Sequence, residues 1–147
     1  MNKKGFTLLE LVIALAVIMI ITGGVFLAIR QQDRRALYNA AYQLQADIRY
    51  AQRRALIGGR VLEVRFYPVY DMYRIRYARP YYTEIRRVYF QNGVNLRTTN
   101  RVFITFQPRG SASGSFTLTL ESGRYRRDLT STVSGGRIDI KVTDVIQ

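Results

Sequence analysis

The chain has no cysteine and no histidine. Without cysteine there is no disulfide framework and no thiolate metal site. Without histidine the commonest general base and the commonest metal ligand are both missing. No two acids stand at a spacing that suggests paired acid and base work, and there is no GxSxG, P-loop or GxGxxG stretch. These absences point away from an enzyme, and neither a cofactor nor a metal is expected. Acidic residues are also scarce, 10 against 23 Lys and Arg, which leaves a formal charge of +13. Lysine occurs only at Lys3, Lys4 and Lys141, so nearly all of that charge is arginine. Such a balance permits nucleic acid, anionic lipid or an acidic partner without fixing the fold.

What is present begins with a long apolar run. Phe6 to Ile29 reads FTLLELVIALAVIMIITGGVFLAI, with Glu10 its single ionisable side chain. As a helix it would reach ~36 Å, enough to cross a hydrocarbon core of about 30 Å. A carboxylate inside a span costs roughly 2.5 to 3.5 kcal/mol on insertion scales. The favourable end of a helix dipole returns only about 0.3 to 1 kcal/mol. A cleavable secretory signal could end at Thr22, Gly23 and Gly24, but Glu10 interrupts its apolar region. A plain signal anchor explains the length and leaves the glutamate unexplained. A cut between Gly5 and Phe6 would remove Lys3 and Lys4 and place a new α-amino group four residues from Glu10. Between chains packed side by side, that amine and that carboxylate would set the register of neighbouring subunits.

After Arg30 the apolar residues thin to a stripe. Leu37, Ala40, Ala41, Leu44, Ile48, Ala51 and Ala55 recur at steps of three and four, which predicts an amphipathic helix. Arg34, Arg35, Asn39, Gln43, Asp47, Arg49, Arg53 and Arg54 fill the other positions. Gly58 and Gly59 supply the stop, and Gly23 and Gly24 weaken the helix near its middle. Beyond Gly59 the period is two. RVLEVRFY and MYRIRYA form a hairpin about Pro68 to Asp71, with Arg65, Arg74 and Arg76 on one face beside Glu63. Strands follow at IRRVYF, VNLR, RVFITF, SFTLTLE, RYRRDLTSTV and RIDIKV, and the small polar loop Pro108 to Ser115 reads as a solvated turn. The expected fold is α+β: one long N-terminal helix, transmembrane then amphipathic, packed on an antiparallel β-sheet or sandwich. Its expected divisions are a leader at 1–5, a transmembrane half at 6–29, an amphipathic half at 30–58 and one globular β domain at 59–147.

The stretch KKGFTLLELVIALAVIMII resembles the processing and methylation signal of type IV pilins and type II secretion pseudopilins. The resemblance implies that a prepilin peptidase and methyltransferase cleaves between Gly5 and Phe6 and N-methylates Phe6, and that Glu10 aids assembly. It also implies a single-pass subunit of the bacterial inner membrane, in contact with its lipid. The N-terminus would be cytoplasmic and the C-terminal domain periplasmic, until the subunit joins other pilins or pseudopilins in a filament. Charge alone leaves orientation open, because Arg30, Arg34 and Arg35 crowd the far end of the span.

LQADIRYAQRRALIGG, then VFITFQPRGSASGSFTLTL and RYRRDLTSTVSGGRIDI, are similar to the H-type minor pseudopilins and the FimT-type minor pilins. A priming or tip subunit used in protein secretion is the expectation this carries. The alternative is a DNA-binding minor pilin used in DNA uptake, with Arg124, Arg126, Arg127, Arg137 and Lys141 as candidate phosphate contacts. Against it, the pattern Gly-Arg-any-Arg implied by the resemblance reads GRID here, with Asp139 in place of the second arginine. The plainer view of that face is a solvated sheet with Glu121, Asp128 and Asp139 as partners.

Overall fold

One helix, α1, runs from Leu8 to Gly58 and is helical through Gly23 and Gly24. The structure is a computed structural model that describes residues 8–78, 80, 82–98, 100–134 and 137–146; for 23–30, 98, 134, 137, 138, 145 and 146 the description is of the backbone. The chain forms two units, residues 1–32 and residues 33–147. In the second unit, Leu37, Ala41, Leu44, Ile48, Ala51 and Ala55 are each at most 2% exposed. Their alternating steps of four and three keep one stripe on one side. The helix stops where the chain turns left-handed at Gly59, φ +60°, a conformation that glycine adopts without a Cβ penalty.

Eight strands follow, in two antiparallel sheets. The first is ordered β3-β2-β1-β5, from β1 (Leu62–Tyr67), β2 (Met72–Tyr77), β3 (Glu84–Tyr89) and β5 (Phe103–Phe106). The second is ordered β4-β6-β7-β8, from β4 (Asn95–Thr98), β6 (Phe116–Ser122), β7 (Tyr125–Ser134) and β8 (Arg137–Ile146). The link between β1 and β2 is a 3-10 turn at Pro68–Tyr70 that ends at Asp71, φ 44°. Asp71 is held there from both ends: its carbonyl accepts from Phe90 N at 2.8 Å and its Oδ1 from Leu96 N at 2.8 Å.

Alternation delivers one face of each sheet to a shared core. Leu62, Val64, Phe66, Tyr73, Ile75, Ile104 and Phe106 come from the first sheet, and Leu96, Phe116, Leu118, Leu120, Leu129 and Ile140 from the second. Both meet the α1 stripe in a single cluster. The rings of Phe66 and Phe116, 6.4 Å apart, join the sheets directly. The α+β class expected from the sequence is the one observed. β8 is longer than the predicted strand at 137–142, because Thr143, Asp144, Val145 and Ile146 continue the ladder against Asp128, Arg127, Arg126 and Tyr125.

One further difference concerns a side chain. Asp47, expected on the polar side of the helix, is 3% exposed. It sits one residue from Ile48, at the margin of the stripe, and accepts hydrogen bonds from Tyr73 Oη at 2.6 Å, Arg86 Nη1 at 2.6 Å and Gln43 Nε2 at 3.1 Å. Burial, and then this bond to Asp47, push the Tyr73 phenol far up. The loop at Pro108 to Ser115 is tied by Gly110 N to Gln107 O and Gln107 N to Ser111 O, each 2.8 Å, and by Gln52 Nε2 to Gly110 O at 2.8 Å.

Candidate functional site

In the first unit the described side chains are those from Leu8 to Thr22, with Gln31 and Gln32. Glu10 lies in the first turn of α1 and is exposed. Leu8, Leu9, Leu11, Val12, Ile13, Leu15, Val17, Ile18, Met19, Ile20 and Ile21 are all between 48% and 81% exposed. Consecutive exposed positions mean that, Glu10 apart, this helix is apolar on every side, which a water-facing helix does not sustain. Among the described residues no helix is long and apolar enough to cross a membrane. The expected span at 6–29 extends past them at both ends: Gly5 and Phe6, with the expected cut between them, lie outside the described residues, as do the side chains of 23–30.

The five basic candidates near the C-terminus are not brought onto one surface. Strand alternation puts Arg126 and Arg127 on opposite faces of β7. Arg127 turns inward, 8% exposed, with Nε 2.5 Å from Asp144 Oδ1 and its guanidinium 4.7 Å from the Tyr38 ring on α1. Arg126 lies on the outer face, 3.4 Å from Asp128, while Thr119 Oγ1 donates to the same Asp128 oxygen at 2.7 Å. Lys141 shares that outer face, exposed and opposite Thr130. Arg137 stands opposite Ser134, and its side chain lies outside the described residues. Arg124 falls in the turn between β6 and β7. Asp139, opposite Thr132, completes a face in which Glu121 also pairs with Arg97, at 3.7 Å.

The outer face of the first sheet is richer in arginine, and each guanidinium there is engaged. Glu63 receives Arg65 and Arg76, both at 2.7 Å. Burial alone would raise the Glu63 carboxyl, but the hydrogen bonds from Arg65 and Arg76 hold it below the usual carboxylate range. Glu84 accepts from Arg87 at 2.9 Å and forms an ion pair with Arg74 at 3.5 Å that is not a hydrogen bond, and the Arg87 bond lowers its carboxyl as well. Arg65, Arg74 and Arg76 also lie over Phe103, Tyr67 and Tyr82 at 4.9, 5.1 and 4.6 Å. Cation and ring attract through the ring quadrupole, so each arginine is shared between an acid and an aromatic.

A third basic surface was visible as sequence but not singled out. On α1 from Asp33 onward, Arg34, Arg35, Arg49, Arg53 and Arg54 are exposed, as are Tyr38, Tyr42 and Tyr50. The two acids of this stretch, Asp33 and Asp47, are not exposed. A hollow of about 540 Å³ runs along Tyr42, Gln45, Ala46, Arg49, Tyr50 and Arg53. Helical periodicity assigns these positions away from the core stripe, but it set Asp47 among them, and only the burial of Asp47 leaves the face without an acid.

Known proteins share parts of this chain. Residues 1–26 match the prokaryotic N-terminal methylation motif, and residues 40–136 match the family described as type II transport protein GspH. Among solved structures, the type IV minor pilin FimU of Pseudomonas aeruginosa is similar with a TM-score of 0.61 at 18% identity, covering 74% of this chain and 90% of that one. A second crystal form of FimU gives 0.57 at 17%, covering 71% and 92%. The minor pseudopilin EpsH of the Vibrio cholerae type 2 secretion system gives 0.55 at 11%, covering 71% and 95%. At these identities the likeness is one of fold. No curated protein matches the chain by sequence.

Proposed function

We propose a role from one premise: this chain belongs to the type II transport protein GspH family. It is a minor pilin-like subunit, a pseudopilin, that assembles into a type II secretion pseudopilus or a type IV pilus. Its place is that of a priming or tip component in protein secretion. Residues 1–5 are the leader, removed between Gly5 and Phe6 by a prepilin peptidase that methylates the Phe6 amine. Residues 6–29 hold the subunit in the inner membrane before assembly, and 30–58 with 59–147 form its extracytoplasmic part.

The observation that carries this reading is the surface of α1 from Leu8 to Ile21, apolar on every side save for Glu10, with side chains such as Leu8 and Ile20 81% and 75% exposed. Such a surface needs lipid before assembly and neighbouring helices after it. The methylation motif across these residues supports processing at that end. In the filament, Glu10 accepts from the Phe6 amine of a neighbouring subunit, an acid meeting a cation away from water, which sets the register between the two. Mass spectrometry of the protein from its own host tests this. The expected mature chain begins at N-methylated Phe6, and Glu10→Ala drops out of the sheared filament fraction. A chain that still begins at Met1, or a Glu10→Ala variant that incorporates as well as the parent, overturns the reading.

A further inference from the structure

The exposed side of α1 between Arg34 and Arg54 is charged with one sign. It carries five exposed arginines; the stretch's one acid, Asp47, is buried, and Asp33 just before it is half-buried, with a carboxylate oxygen 2.9 Å from where a Cβ on Gly123 would stand. Arg54 is held by Tyr50, Nη1 to Oη at 2.9 Å. Among the described residues no ion pair involves Arg34, Arg35, Arg49 or Arg53, although eight other arginines are matched with acids elsewhere in the domain.

The layout is specific. Arg34 and Arg35 form one basic group and Arg49, Arg53 and Arg54 a second, separated by roughly 21 Å along the helix at about 1.5 Å per residue. Between them lie Tyr38, Tyr42 and Ala46, with the rings of Tyr38 and Tyr42 4.3 Å apart, and Tyr50 stands within the second group. An aromatic centre with a charged rim, rich in tyrosine and arginine, is the composition of a protein interface core and its border. A nucleic acid strand presents a charge about every 3.4 Å, so it would leave the phosphates over that centre without a cation.

We propose that this face of α1 docks a different protein, one whose own surface sets two groups of Asp and Glu about an apolar patch. A second copy of this chain does not meet that description. Six of its acids, Asp47, Glu63, Glu84, Glu121, Asp128 and Asp144, are already committed to internal ion pairs. Of the other four, Asp71 is bonded to Leu96 N, Asp33 is set against Gly123, Asp139 is a single exposed acid opposite Thr132, and Glu10 belongs to the first unit. A two-fold contact between copies would set basic face against basic face, which opposes association. The inference rests on the reading of the chain as a filament subunit and names the chemistry of its neighbour.

The test places benzoylphenylalanine at Tyr42 in the full chain in its own host, followed by irradiation and mapping of the adduct. The expected adduct is with another protein at a segment dense in Asp and Glu. Its yield should fall at least tenfold in R49E/R53E and stay near the parent value in R49K/R53K. R34E/R35E, at the other basic group, repeats the test if the first reversal lowers the melting temperature. An adduct with a second copy, with lipid or with nucleic acid overturns the inference, as does no adduct or one indifferent to charge reversal. Filament incorporation and the mature N-terminus, followed in the same cells, report separately on the subunit reading. If those persist while the adduct ignores charge, only the partner's chemistry has failed.

Discussion

Tyr73→Phe removes one oxygen from the middle of the domain and leaves the packing of the ring intact. That oxygen donates to Asp47 Oδ2 at 2.6 Å, and the residue is fully buried. A hydrogen bond to a charged group contributes about 1.5 to 3 kcal/mol, and a buried carboxylate oxygen that loses its donor is not rehydrated. Asp47 keeps Arg86 and Gln43, so the change weakens the site without stripping it. The expected loss is therefore about 1.5 to 3 kcal/mol, or roughly 5 to 15 °C in melting temperature for a domain of this size. Urea unfolding of the full chain in detergent micelles, followed by the near-UV dichroism of its tyrosines, measures it. In an Asp47→Asn background the same change should cost under about 1.5 kcal/mol, because the bond is then between neutral groups. A loss below about 0.5 kcal/mol, or an equal loss in both backgrounds, would refute the claim that the carboxylate anchors α1 to the first sheet through Tyr73.

Adjacent arginines of β7 should behave oppositely. Arg127→Ala should cost about 1 to 3 kcal/mol by leaving the Tyr38 ring and Asp144 without their cation, while Arg126→Ala should stay within about 0.5 kcal/mol, both read by urea midpoint. Gly123→Ala should lower stability by about 1 to 2 kcal/mol, since φ there is +56° and the new Cβ would stand 2.9 Å from an Asp33 oxygen. Glu63 and Glu84 have folded values below their unfolded ones. Their contribution is thus complete above the unfolded carboxylate value of about 4.3 and is lost as pH falls through the lower folded values. Stability plotted against pH should begin to fall below about pH 4.5, and Glu63→Gln should flatten that fall; an unchanged acid limb would contradict it.

The architecture was legible where pattern and period agree. The steps of three and four from Leu37 to Ala55 identified the buried side of α1, and those residues are the buried ones, Ala40 alone being half-buried. Alternation in β1 and β2 placed Glu63 with Arg65, Arg74 and Arg76, and the ion pairs and rings of that face follow from it. The same rule applied to RYRRDL separates Arg126 from Arg127; grouping them by nearness in sequence overlooked it. Asp47 was misplaced because a residue at the edge of an apolar stripe goes in or out according to what meets it. Its partners, Tyr73 and Arg86, are 26 and 39 residues away in the chain.

By itself, the order of residues determined the local matters: an apolar helix with one acid near its start, an amphipathic continuation, short strands and their turns. Each depends on neighbours within a few positions, so periodicity carries them. Only the tertiary structure decided which charges are spent and which are left over. Ion pairs form between strands and helix that the chain brings together from far apart, and only then does it emerge that Arg34, Arg35, Arg49 and Arg53 of α1 are in none of the ion pairs among the described residues.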